Sequence, residues 1–472
     1  MTTAAVVGSG PNGLAAAIHL AQRGVSVTVY EMADVVGGGM RTSEHTVPGV
    51  LHDDCAAFHP TGVASPFFQS LPLTEHGLTW LWPEVELAHP LDDGSAACLF
   101  RDVSRTAAGL DGDERRWRQM FSYFVHHCDD LLADAFSPVV RVPSHPLTFG
   151  RFGLLSLPSA TLTARVFRTE KARALFGGSA AHALTSLRMP FSAAVGMMLT
   201  TVGQAYGWPV VQGGTAQLAR ALVSYFQSQG GEIQTGVHVR SLDDVPPTDI
   251  VMLDTSPTAA MSIVGDRLPG KVRRAYDAYA YGPGAYKVDF AVRGDIPWTN
   301  TDVAHAGTVH CGGSFAEIVE AEGDVAKGRM HRRPFVLVGQ QYLADPSRSR
   351  DGVNPIWAYA HVPHGYTGDA TETIISQIER FAPGFRERIV GMFVRNTTDM
   401  ATYNPNYIGG DIAVGANTMK QMIMRPRVAV NPYATGAQGV YLCSSATPPG
   451  GGVHGMCGFN AARAALRAVK GD

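Results

Sequence analysis

Between Ala4 and Glu31 the hydrophobic positions change period twice. Ala4 to Val7 is a short apolar run, Leu14, Ala17, Ile18 and Ala21 recur at helical spacing, and "VSVTVYE" then alternates up to Glu31. Recurrence every three to four residues predicts a helix and alternation predicts a strand, so the opening reads as strand, helix, strand. Gly24 stands where a helix commonly ends on a left-handed residue. Such a βαβ unit is the smallest piece of a parallel sheet that can hold a nucleotide.

The rhythm returns in "GGTAQLARALVSYFQSQGG", where Leu218, Leu222 and Phe226 share a helical face. "EIQTGVHVRSL" then alternates as a strand, and "DIVMLDTSP" adds another apolar run. Between Tyr286 and Met424, stretches such as "YKVDFAV" and "PFVLVGQQYL" predict a second, mainly antiparallel sheet. The expected class is α/β, with a discontinuous Rossmann-like nucleotide-binding domain in segments 1–65, 206–285 and 425–472. A helical segment at 66–205 and the sheet at 286–424 belong to a second, α+β substrate domain.

Composition narrows the partners more than the fold. A chain of 472 residues, 45% hydrophobic and 17% charged, can bury the cores of two or three domains. A net charge of -3 with a pI near 6.6 gives no footprint for nucleic acid. Six cysteines without CxxC spacing suggest neither a disulfide framework nor a metal site, and read as reduced thiols. "MTTAAVVGSG" enters a strand at once, with no secretory pattern, so a cytoplasmic location is expected. Met189 to Ala219 carries no charge, but Pro190, Gln204, Pro209 and Gln212 interrupt it. It reads as buried or as facing a membrane surface, rather than as crossing a bilayer.

The chemistry begins in "GSGPNG". Gly8 makes the turn after the strand, Gly10 lets backbone approach a pyrophosphate, and Gly13 lets helix pack on strand. The helix N-terminus then favours the phosphate charge. Glu31, at the end of the second strand, is placed to hydrogen-bond a ribose hydroxyl. NAD and FAD share the ADP half. "GGGMRT", Gly37 to Thr42, is a second glycine-rich turn with Arg41 available to a pyrophosphate oxygen. A dinucleotide that curls back over this turn fits FAD better than NAD.

With "VVGSGPNGLAAAIHLAQRG", "VYEMADVVGGGMRT", "GWPVVQGGTAQLARAL", "YGPGAYKVDFAV", "YNPNYIGGDI" and "TPPGGGVHGMCGFNAARAAL" in this order, the sequence resembles the phytoene dehydrogenase-like, carotenoid desaturase branch of the FAD-dependent amine oxidase superfamily. The resemblance implies two intertwined domains, an extended FAD, and a lipophilic substrate brought to the flavin through a tunnel. It puts Gly8, Gly10, Pro11, Asn12 and Gly13 along the pyrophosphate, Glu31 on the adenosine ribose, and Gly38, Gly39, Met40 and Arg41 near phosphate and ribityl. Val239 matches the strand position that meets adenine, and Gly452, Val453, His454 and Met456 match the segment against the isoalloxazine.

A flavin takes a hydride itself, so no metal and no Ser-His-Asp constellation is required. His454, inside the flavin loop, and His59, in "CAAFHPTG", are the candidates for an acid or base, each with loop capping as the competing role. Cys443 and Cys457 read as packing residues. Met197, Met198, Leu199, Tyr206 and Trp208 line either a core or a tunnel. The expected activity is desaturation or other oxidation of an isoprenoid or acyl-type substrate. Isomerisation of polyunsaturated lipids, amine oxidation and a flavoprotein assembly role stay open. So do the electron acceptor, oxygen or a quinone, the oligomeric state, and peripheral contact with a membrane.

Overall fold

The computed structural model describes residues 2–138 and 141–470; the outermost residues of the segments expected at 1–65 and 425–472 lie outside that range. Strand β1 (Thr3–Val7), helix α1 (Pro11–Ala21) and strand β2 (Ser26–Tyr30) form in the expected order. Gly24 has a φ of 79° and donates its N–H to Ala21, closing the helix. The chain then leaves this layer through strands β3 (Val85–Pro90) and β4 (Ala96–Leu99) and helices α2 (Pro146–Ser156), α3 (Glu170–Ala181) and α4 (Ser192–Ala205). Helix α5 (Ala216–Ser228) and strands β5 (Glu232–Gln234) and β6 (Ile250–Leu253) return to it.

Strands β7 (Gly284–Arg293), β8 (Ala306–Cys311), β9 (Val336–Gly339), β10 (Val353–Val362) and β11 (Ile389–Arg395) follow. Helix α6 (Met419–Met424), strand β12 (Val440–Leu442) and helix α7 (Met456–Lys470) complete the elements that matter for the site.

The first sheet is wholly parallel, in the order β12-β6-β1-β2-β5, so three separated stretches of sequence build one nucleotide-binding layer. Strand β6, interior to the sheet, is buried on both faces, which is why "IVML" shows no alternation. The last strand expected here is shorter than its pattern. After Gln234 the chain turns at Gly236, with φ at 70°, and Val237 donates its N–H to the Glu31 carbonyl at 2.9 Å.

The second sheet runs β11-β7-β10-β9-β8-β3-β4, antiparallel except for β8 beside β3. Two of its strands come from the stretch read as helical. "VELAHP" is buried at every position, so burial on both faces erased the strand period.

Helix α7 lies across α1. A Cβ on Gly458 would stand 1.8 Å from the Asn12 carbonyl oxygen, so only a glycine lets the two backbones approach this far. The uncharged stretch 189–219 forms α4 and the return to the first sheet. Nine residues of α4 are buried, among them Met197 and Val202. Among the described residues no helix is long and apolar enough to cross a membrane.

Candidate functional site

The carboxyl ends of β1, β2 and β6 and the turn after β12 open on one cavity of about 610 Å³, within the range typical of cofactor and substrate sites. Gly8, Gly10, Pro11 and Asn12 line it, with Pro11 as the first residue of α1. Gly13 lies beneath them: a Cβ there would stand 2.1 Å from the Gly8 carbonyl oxygen. Its N–H donates to Asp254 Oδ2 at 2.8 Å. Burial, opposed by that bond and helped by the Glu31 charge, pushes the Asp254 carboxyl up to about 7. Asp254 buttresses the loop, and was legible only as the residue ending the run "DIVML".

Glu31 faces the cavity and is held from behind. Its Oε2 accepts from the Ser9 N–H at 2.9 Å and the Ser9 hydroxyl at 2.6 Å, and its Oε1 accepts from the Ala33 N–H at 3.0 Å. An ionised carboxylate has about four acceptor positions, and Arg41 Nη2, 3.5 Å from Oε1, stands at the fourth, so a ligand hydroxyl would share that oxygen with Arg41. Val239 lines the same end, as part of an irregular segment rather than of a strand.

The second turn brings Gly38, Gly39 and Arg41 to the cavity, and Met40 to the fully buried core under α1. Met40 is thus a packing residue. A Cβ on Gly38 would reach 3.0 Å from Gly10 Cα, so the two glycine turns touch. The Arg41 guanidinium sits 5.3 Å from the Tyr403 ring, and the Tyr403 hydroxyl donates to the Gly38 carbonyl at 2.8 Å. Among the described residues Arg41 Nε is buried without a partner, while its Nη2 lies 3.5 Å from Glu31 Oε1.

The closing run divides. Gly450, Gly451, Gly452 and Val453 line the cavity, whereas His454 and Met456 do not. His454 Nδ1 accepts the Met456 N–H at 3.0 Å, its ring rests 4.9 Å from Phe136, and its carbonyl accepts from the Ser65 hydroxyl at 2.6 Å. The Met456 N–H is therefore spent on a cap. His59 is likewise buried away from the cavity, with Nε2 at 2.9 Å from Thr215 Oγ1. Burial drives both imidazoles down to about 4, leaving them neutral. The acid or base expected at these two positions is replaced by two structural rings. Cys443 and Cys457 are buried thiols that burial pushes up, in keeping with packing.

Away from the glycines the cavity is walled by Leu184, Val195, Leu199, Trp208, Trp357 and Tyr359. Of the five residues left between core and tunnel, Leu199 and Trp208 reach it and Met197 is core. Trp357 and Tyr359 alternate along β10 and meet edge to face at 4.9 Å, so they form one wall rather than two facing rings. His182, just past α3, also lines this end, and its Nε2 is 3.0 Å from Nε2 of the buried His310. One of the two nitrogens must donate, so the pair fixes one proton between its rings. Burial pushes His182 down to about 3 and His310 well below its usual value. Residues 182 and 310 are far apart in sequence, and no local pattern announces the pair.

A family profile for NAD(P)-binding Rossmann-like domains matches residues 6–71. The chain is similar to pyridine nucleotide-disulfide oxidoreductase domain-containing protein 2 of Rattus norvegicus, 24% identical over 99% of this chain and 94% of that protein. It is also similar to the hydroxyneurosporene desaturase of Cereibacter sphaeroides, 30% identical over 50% of this chain and 49% of the desaturase. A solved structure of putrescine oxidase bound to putrescine superposes with a TM-score of 0.62 at 17% identity, covering 99% of both chains, which establishes a common fold. In sequence the chain is thus similar to carotenoid desaturases, and in fold to putrescine oxidase. With these relatives the chain is an oxidoreductase.

Proposed function

We propose that this cavity binds FAD in extended form and that the enzyme desaturates, or otherwise oxidises, a lipophilic isoprenoid or acyl-chain substrate. The carrying observation is a single cavity with two unlike ends: backbone and glycine at the carboxyl edge of the parallel sheet, apolar side chains at the other. The polar end fits the cofactor. Gly8 to Asn12 offer the pyrophosphate a helix N-terminus, Glu31 lines the end where the ribose would lie, and Arg41, beside Glu31, has a buried Nε for a phosphate oxygen. Gly450 to Val453 bring backbone toward the reacting ring, and Val239 toward the adenine.

When bound, a flavin supplies an acceptor for a hydride leaving the substrate carbon. The protein's own part is to orient and dry the substrate. Leu184, Leu199, Trp208 and Trp357 exclude water from an apolar chain, and His182, neutral and fixed by His310, offers one hydrogen bond to a polar substituent of the substrate.

The test begins with a chromatographic identification of the cofactor released on denaturation, and continues with anaerobic mixing of the holoprotein with a lipid extract. FAD near one per chain, bleached as a lipid gains a double bond, is expected. A protein purified without flavin sinks the cofactor assignment. Lipid isomers formed with no bleaching and no acceptor replace oxidation by isomerisation.

A further inference from the structure

A buried indole N–H without an acceptor is costly, and most tryptophans of this fold avoid the cost. Trp82 and Trp357 donate theirs to the Tyr206 and Cys55 carbonyls, and Trp117 and Trp298 to the side chains of Gln204 and Gln340. Trp208 differs. It is 2% exposed and lines the cavity, yet its Nε1 has no partner among the described residues. Its backbone is fixed all the same, since the Trp208 N–H donates to Glu86 Oε2 at 2.6 Å.

A second stranded group stands on β8. Thr308 is buried and lines the same cavity, and among the described residues its hydroxyl has no partner. His310 follows two residues later, so both side chains leave the sheet on one face. Across β9 the register sets Thr308 in a row with Gly339 and Trp357, and His310 in a row with Leu337 and Tyr359. The His310 ring lies 5.9 Å from the Trp208 ring, and its Nε2 lies 3.0 Å from Nε2 of His182, whose own ring is 5.6 Å from Trp208. Trp208, Thr308 and His182 therefore gather around His310, at the end of the cavity that is otherwise apolar.

The glycine end also has stranded polar atoms, Asn12 Oδ1 and Arg41 Nε. A cofactor there answers them. At the other end a plain hydrocarbon would leave the Trp208 N–H and the Thr308 hydroxyl as they are, buried and unsatisfied.

Taking the apolar end as the lipid site, as in the function set out above, we infer that Trp208, Thr308 and His182 form a subsite for an uncharged oxygen. The substrate is then an oxygenated lipid, an alcohol or a carbonyl compound, rather than a hydrocarbon. An indole N–H can only donate, which calls for an acceptor, and a threonine hydroxyl can donate to the same oxygen or accept from an alcohol. A carboxylate fits less well, because none of the three groups is a fixed cation. Arg425 also lines the cavity, but its guanidinium is taken up by the Gln421 and Ser445 carbonyls and the Asn417 side chain.

Equilibrium dialysis of the full chain as purified tests this with farnesol, farnesal, farnesoic acid and the hydrocarbon of the same skeleton without oxygen. The alcohol or the aldehyde is expected to bind about tenfold or more tighter than the hydrocarbon, and tighter than the acid. Trp208→Phe and Thr308→Val each remove one polar group and keep an apolar one. Each should lower the ratio of oxygenated to hydrocarbon affinity by about three- to tenfold. Leu199→Ala, at an apolar wall position, should weaken all four probes alike and leave that ratio unchanged. Circular dichroism of each variant checks that the fold is intact. A ratio that neither Trp208→Phe nor Thr308→Val moves overturns the subsite while the lipid site stands, since the stranded atoms would then hold only water. Tightest binding by farnesoic acid overturns it too. A chain that binds none of the probes loses both the subsite and the lipid site.

Discussion

The two ends of the cavity are made of different material. The end at the parallel sheet is built from backbone: Gly8, Gly10, Gly38 and Gly450 to Gly452 present peptide groups, and almost every side chain there would be an obstruction. The other end is built from side chains that arrive from the second sheet and from the helices beside it, Leu199 from α4, Trp357 and Tyr359 from β10, and His182 from beyond α3. Backbone recognises what all dinucleotides share, whereas side chains can be exchanged without disturbing the strands that carry them. The function proposed above therefore predicts that cofactor affinity and substrate choice are separable in this chain.

The largest expected effect strikes the first end. In Gly10→Val the Cβ would stand 2.6 Å from Asp254 Oδ2 and the branched side chain would project at the cavity. Overpacking of this kind costs about 1–3 kcal/mol, so flavin retention should fall by about 10- to 100-fold, read as flavin absorbance per chain after dialysis. A variant that keeps its full flavin content would break the contrast.

A smaller effect is expected at the second end. Trp208→Ala should leave flavin content unchanged and lower kcat/KM toward the lipid substrate by about tenfold or more, as apolar contact is lost. Loss of flavin together with activity would mean that the two ends are one unit.

The smallest effect sharpens the boundary between them. The Asp254 carboxyl is raised in the folded chain from its ordinary value to about 7, so its protonated form is the one the fold prefers. Its contribution to stability is complete below pH 4 and is lost as the pH rises from 4 to 7. The slope is at most about 1.4 kcal/mol per pH unit. Asp254→Asn, whose amide oxygen can still accept the Gly13 N–H, should flatten that part of the Tm–pH curve of the flavin-free protein. An unaltered curve would show that Asp254 does not titrate there.

The same division explains what the sequence disclosed. Glycine spacing is local, so "GSGPNG", "GGGMRT" and "GGG" before Val453 announced the backbone end, while a short apolar run announced β1, alternation β2 and a strand-like stretch β7. Burial on both faces hid β3. At Met40, His454 and Met456 the motif marked the right turn, but the turn sends those groups into the core, a matter of side-chain direction that spacing does not carry. His182 with His310, and Trp357 against the Cys55 carbonyl, join residues through tertiary packing alone.

The closeness of Gly458 to Asn12 bears on how the protein is born. Synthesis delivers β1, α1 and β2 first, yet β12 and α7, which flank β6 and cover α1, emerge last. Until then the nascent nucleotide layer has an open sheet edge and a bare helix face, which invites wrong partners. Nearly the whole polypeptide must leave the ribosome before β6 gains its outer neighbour and α1 its cover, so a cofactor that needs the closed layer would be loaded only after translation.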